Sequence, residues 1–119
     1  MTDARRALGA AGEDAVAQWY SESGWSVLAR NWRVREGEID LIARRATTIV
    51  FCEVKTRRGD AFGTPAEAVT LRKQVRLRRL AVQWLSDNQA RADLLRFDVA
   101  SVKPDGRGAW IVDVIEAAF

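Results

Sequence analysis

The chain has 119 residues, 48% of them apolar and 29% charged, the proportions of a folded domain with a real core and not of a disordered tail. It has no histidine and a single cysteine, Cys52. That excludes an internal disulfide, histidine-dependent nucleophiles and the commonest zinc sites, and leaves Asp, Glu, Lys and hard metal ions to carry any hydrolytic chemistry. The net charge of +3 is uneven: Lys55 to Arg79 holds eight basic residues against two acids, a local +6 on a body of −3. Such a patch suits a polyanion partner, and equally a solvated arginine-rich helix face.

The first fifteen residues lack the apolar core of a signal peptide, and no run approaches the ~18 apolar residues of a membrane span. A cytoplasmic, single-domain protein spanning 1–119 is the expectation. From about Asp3 to Ser23, Leu8, Ala11, Ala15, Val16 and Trp19 recur at helical spacing, and Gly24 supplies the stop. Glu13 sits on the border of that stripe. "WSVLARNW" reads as a first strand, with "RVREG" as the turn after it.

A second strand runs from Gly37 to about Ala43, and "RRAT" makes the next turn. Thr48 to Thr56, rich in β-branched and aromatic residues, is a third strand. After the loop "RRGDAFG", Thr64-Pro65-Ala66-Glu67 has the form of a capping box, which gives Glu67 a structural task. A long helix then reaches about Asn88, with a potential break near Thr70. One face carries Leu77, Leu80, Ala81, Trp84 and Leu85; the opposite one carries Arg72, Arg76, Arg79 and Gln83. Lys73 falls inside the apolar arc, so it should face the sheet. "LLRFDVASV" and "WIVDVIEAAF" form a last hairpin turned at Pro104-Asp105-Gly106. The order α-β-β-β-α-β-β predicts a mixed sheet of about five strands with a helix on each side, in the α+β or α/β style.

"EIDLIARRATTIVFCEVKTR", residues 38–57, places carboxylates inside two apolar strands. An unpaired buried charge costs several kcal/mol, so these acids need partners. Residues two apart share a strand face, which aligns Glu53 and Lys55 with the core residues Ile49 and Phe51, and Glu38 and Asp40 with Ile42. If the two strands pair antiparallel, Asp40 lies across from Glu53 and Lys55. Two carboxylates and an ammonium so placed could hold Mg²⁺ or Mn²⁺ and orient a water for phosphodiester hydrolysis. The bland alternative makes Glu53 and Lys55 a strand-end ion pair and gives Asp40 an arginine partner. Cys52 faces the other side as an inert buried thiol, and Asp98 reads as an ion-pair partner for an arginine. The tryptophans fall mostly at core periodicity, although Trp25 and Trp32, flanking a strand, could stack bases.

"GEIDLIA", "FCEVKTR", "FGTPAEAV" and the ending "IEAAF" together resemble the small bacterial YraN-type family over nearly the whole chain. That family is similar in core to the PD-(D/E)xK nucleases, including archaeal Holliday-junction resolvases. The resemblance implies a restriction-endonuclease-like fold and a metal-dependent endonuclease acting on DNA, branched structures included. Asp40 takes the place of the motif's first acid, and Glu53 with Lys55 the place of its E-x-K. Ile39 stands where the motif has proline. Glu13 matches the helical glutamate that joins the metal site in resolvase relatives, giving Asp40, Glu53 and Glu13 as metal ligands. Lys73 resembles their basic or amide residue on the next helix. Arg57, Arg58, Lys73, Arg76 and Arg79 are the candidate contacts to backbone phosphate, Glu38 is an undecided fourth acid, and a homodimer is implied by the resolvase likeness. The competing expectation is a nucleic-acid-binding or partner-docking module that keeps the fold without turnover.

Overall fold

A computed structural model describes residues 3–57 and 69–119, with the side chains of the first helix from Ala7 onward. The elements are α1 (Asp3–Glu22), β1 (Ser26–Val34), β2 (Gly37–Arg45), β3 (Thr48–Thr56), α2 (Leu71–Asp87), β4 (Leu94–Pro104) and β5 (Trp110–Ile115). The predicted order holds. The strands line up as β1-β2-β3-β4-β5 in one mixed sheet. β1, β2 and β3 form an antiparallel meander, α2 crosses over to set β4 parallel to β3, and β5 returns antiparallel.

Two cores separate the layers. On one face Ile39, Ile42, Ile49, Phe51, Phe97 and Val99 pack against Leu77, Leu80, Ala81 and Trp84 of α2. On the other, Leu41, Ala43, Val50, Cys52, Ala100 and Val102 pack against Val16 and Tyr20 of α1. Period-2 alternation along β3 therefore serves two helices at once, which is why the strand reads as continuously apolar up to Glu53. Tyr20, and not Trp19, is the α1 aromatic that is fully buried. Trp25 is likewise core, flanked by the guanidinium groups of Arg45 and Arg96 at 4.5 and 4.8 Å from its ring, so it offers no face to a base.

Several boundaries differ from the sequence expectation. β1 runs on through Val34 and β2 through Arg45, because antiparallel pairing with a neighbour holds polar ends in strand form against their own preference. Thr70 is the N-cap of α2, its hydroxyl accepting from the Lys73 N–H at 3.2 Å; the proposed capping box at Thr64–Glu67 lies outside the described residues. Pro104 closes β4, and the turn proper spans Asp105 to Ala109. There Asp105 Oδ1 accepts from the N–H groups of Arg107 and Ala109 at 2.7 and 3.1 Å.

Strict alternation also fails in the middle of β2. It would set Ile39 and Ile42 on opposite faces, yet both lie in the α2-side core, joined by Trp32 and Ala29 of β1. The alternation resets at Asn31, which has a left-handed φ of 50° and, like Asp40, falls between the pairs Arg30↔Leu41 and Trp32↔Ile39. Glu38, Asp40 and Ile42 thus do not share one flat face as expected. The reset leaves Asp40 aimed sideways at β3.

Candidate active site

The site stands where β2 and β3 part. Their ladder runs from Arg45↔Thr48 to Leu41↔Cys52, and the next contact is made by a side chain: Asp40 Oδ2 accepts from the Val54 N–H at 2.8 Å. A carboxylate has replaced a backbone carbonyl as the acceptor. Its neighbour is Glu53, 8% exposed and, with Asp98, one of two buried charged residues among those described. Glu53 Oε1 receives two ammonium groups, Lys73 Nζ at 2.5 Å and Lys55 Nζ at 3.3 Å. The lysine that the apolar arc of α2 turned toward the sheet therefore reaches the acid of the sheet.

Burial and crowding set the electrostatics. Asp40 is raised to about 7, chiefly by burial and then by the Glu53 carboxylate, with smaller contributions from Glu13 and Glu38; the Val54 N–H acts in the opposite direction. Burial works against the Lys73 ammonium, but the Glu53 carboxylate outweighs it and holds the lysine above its usual pKa. Acid, acid and lysine meet as the strand pairing predicted. Of the bland alternative, the Glu53–Lys55 ion pair is present, whereas among the described residues Asp40 takes the Val54 backbone N–H and no arginine.

Glu13 owes its place to Gly12. A Cβ at position 12 would stand 2.4 Å from Thr56 Oγ1, so only glycine lets α1 approach the end of β3 this closely. Glu13 follows at once and is near enough to raise Asp40. Nothing in the apolar pattern pointed to Gly12; its signal was a glycine inside a helix, where it weakens the helix by about 0.5–1 kcal/mol relative to Ala unless something requires it. Glu38 is exposed and paired with Arg33 Nε at 2.8 Å. Arg57 continues from β3, its N–H donating to Val102 O at 2.8 Å, and Arg58 lies outside the described residues. Arg76 and Arg79 sit on the exposed side of α2.

Two further acids and the thiol are accounted for structurally. Asp98 is fully buried and pairs with Arg96, as expected, and it also accepts from the Tyr20 hydroxyl at 2.6 Å and the Ala117 N–H at 3.0 Å. Asp113 is exposed on β5. Cys52 is buried, and burial pushes its thiol up and away from reactivity.

The fold and site define an α+β protein with two carboxylates and two lysines gathered where two central strands separate. A family model described as "Uncharacterised protein family UPF0102" matches residues 12–102. The UPF0102 protein of Nocardia farcinica is 50% identical over 115 residues, covering 97% of this chain and 91% of the relative. Those of Parafrankia sp. and Acidothermus cellulolyticus are 48% and 45% identical, covering 94% and 98% of this chain and 95% and 96% of their own. The chain belongs to the UPF0102 family, the YraN-type family that its motifs resemble. No helix among the described residues is long and apolar enough to cross a membrane.

Proposed function

We propose that this protein is a metal-dependent nuclease of restriction-endonuclease-like fold that hydrolyses phosphodiester bonds in DNA. One observation carries the reading: Asp40, Glu53 and Lys55 converge on one point of the sheet, beside a segment of local charge +6. The donor set fits Mg²⁺ or Mn²⁺. Among the described residues no three acids, histidines or cysteines form a cage. Mg²⁺ ordinarily needs none, being held by one or two carboxylates, waters and substrate phosphate. Asp40 is bonded through Oδ2 and Glu53 through Oε1, so Oδ1 of the one and Oε2 of the other are the oxygens that would meet an ion. A bound ion would neutralise the scissile phosphate and supply a water of lowered pKa.

The chain's own residues provide the rest. Asp40 and Glu53 are the ligands, and Glu13 on the α1 side adds negative charge near enough to act on Asp40. Lys55 orients the attacking water and steadies negative charge developing on the phosphoryl oxygens. Lys73 binds the phosphate flanking the scissile bond, and Arg57, Arg58, Arg76 and Arg79 grip the backbone without reading sequence. A single cysteine, with no internal disulfide to keep, accords with a protein that meets DNA in a reducing cytoplasm.

A second reading rests on the same lysines. Two ammonium groups already balance Glu53, so the site is tolerable with no ion, as in a nucleic-acid-binding module without turnover. Cleavage of junction, flap and linear DNA in Mg²⁺ or Mn²⁺ separates the two. The nuclease loses about 100-fold or more in Asp40→Ala and Lys55→Ala; equal activity in all three proteins would expose a contaminant. Mn²⁺ at about 100 times its dissociation constant should add roughly 2.7 kcal/mol of stability, abolished in Glu53→Ala. Salt-sensitive DNA binding with no metal response would favour the module.

A further inference from the structure

A groove of about 650 Å³ runs along α2 beside the β1–β2 turn. Its floor is Leu71, Val75 and Leu80, its rim Arg72, Arg76 and Arg79, and Glu36 is the one acid in its lining among the described residues. Gly37 lets the turn come this close. Its φ of 152° suits glycine, and a Cβ there would stand 3.1 Å from Leu80 and 3.4 Å from Arg76. The groove's lining residues are chain neighbours of the acid site. Arg72 adjoins Lys73, which touches Glu53, and Gly37 is three residues from Asp40, about 10 Å along an extended strand.

We propose that this groove holds an unpaired stretch of the nucleic-acid strand whose phosphodiester lies at Asp40 and Glu53, so that the substrate class is a duplex bearing a single-stranded tail or gap. The inference rests on the nuclease reading and narrows its substrate. Three guanidinium groups against one carboxylate select a polyanion. The apolar floor selects which polyanion: Leu71 is 75% exposed and Val75 44%, an uncovered surface that a duplex, its base faces stacked inside, cannot cover. Unpaired bases present those faces, and guanidinium planes stack on them. The volume lies within the roughly 300–1,000 Å³ of small-ligand clefts, enough for a nucleotide or two and not for a double helix.

The experiment measures binding of labelled DNA by fluorescence anisotropy in EDTA, which separates binding from cutting. A blunt duplex is compared with the same duplex carrying a short oligo-dT tail. The tailed form should bind about 10-fold or more tightly. Val75→Asp, at an exposed position, should reduce the tailed-over-blunt preference to about twofold or less. Arg76→Ala should weaken tailed binding and lower its salt dependence; circular dichroism establishes that both variants are folded. Equal binding of the two DNAs by wild type overturns the proposal, as does a preference that survives Val75→Asp, or displacement by polyglutamate as efficient as by oligo-dT. Cleavage in Mg²⁺ keeps the two ideas apart. Tail preference without cutting sinks the nuclease and spares the groove; cutting of blunt and tailed DNA alike does the reverse.

Discussion

Two acidic centres lie within the same sheet, and they are built on opposite terms. Asp98, fully buried, has every oxygen engaged: Arg96 bridges both at 2.9 Å, Tyr20 donates to Oδ2 and Ala117 to Oδ1. The network ties α1, β4 and the chain's last residues into one unit, and the Ala118 N–H adds a bond to Phe97 O at 2.7 Å. Asp40 and Glu53 are crowded acids: burial and then the Glu53 charge raise Asp40, and two lysines gather on one oxygen of Glu53. A satisfied buried charge specifies where elements meet; an unevenly satisfied one keeps capacity for something else. Burial alone does not separate structural acids from functional ones.

The largest effect should come from breaking the satisfied centre. Asp98→Ala removes the acceptor of the Tyr20 hydroxyl and leaves Arg96 with its looser Glu116 contact at 3.6 Å, and removing one partner of a buried pair costs about 3–5 kcal/mol. Thermal unfolding should fall by more than about 10 °C. The Mn²⁺-dependent gain in stability should survive wherever the variant stays folded, because Glu53 of the proposed metal site meets Lys73 on the α2 face of the sheet whereas Asp98 faces α1. Loss of that gain would mean that the two centres are coupled. Next comes Gly12→Ala, where the new methyl meets Thr56 and should cost about 1–3 kcal/mol. Combining it with Thr56→Ala should recover part of that loss in a double-mutant cycle. Additive effects would show that α1 does not bear on β3 at this point.

The element order was legible because each strand and helix obeyed one period. Leu77, Leu80, Ala81 and Trp84 form the buried face of α2, and Ile49/Phe51 and Val50/Cys52 divide cleanly between two cores. The convergence of Asp40, Glu53 and Lys55 was legible from a short antiparallel connection, and Lys73 from its place in an apolar arc. What escaped the sequence depends on distances between elements far apart in the chain. Tyr20 meets Asp98 across 78 residues, and Gly12 meets Thr56 where a helix crosses a strand end. The reset at Asn31 hides from a period-2 reading because it breaks the period it would be read by. Arg72, Arg76 and Arg79 read as a solvated helix face; only the neighbouring turn makes that face one wall of a groove.

The smallest effect tests the crowded centre through pH. Asp40 has a folded-state pKa near 7, against an ordinary value of 3.8, so the folded protein binds the extra proton and the unfolded chain does not. Stability therefore falls as pH rises from about 4 to 7, and the full cost is present above 7. Asp40→Asn keeps an acceptor for the Val54 N–H and removes the charge. It should be neutral at pH 5 and stabilising at pH 8, by on the order of 1 kcal/mol once solvent screening at this partly exposed site is allowed for. Urea unfolding at the two pH values reads the difference. Mn²⁺ should reverse the trend in wild type, since a bound cation favours the ionised acid and displaces its proton below pH 7. An Asp40→Asn variant equally or less stable than wild type at pH 8 would show that Asp40 is comfortable as an anion without metal, and the contrast with Asp98 would lose its basis.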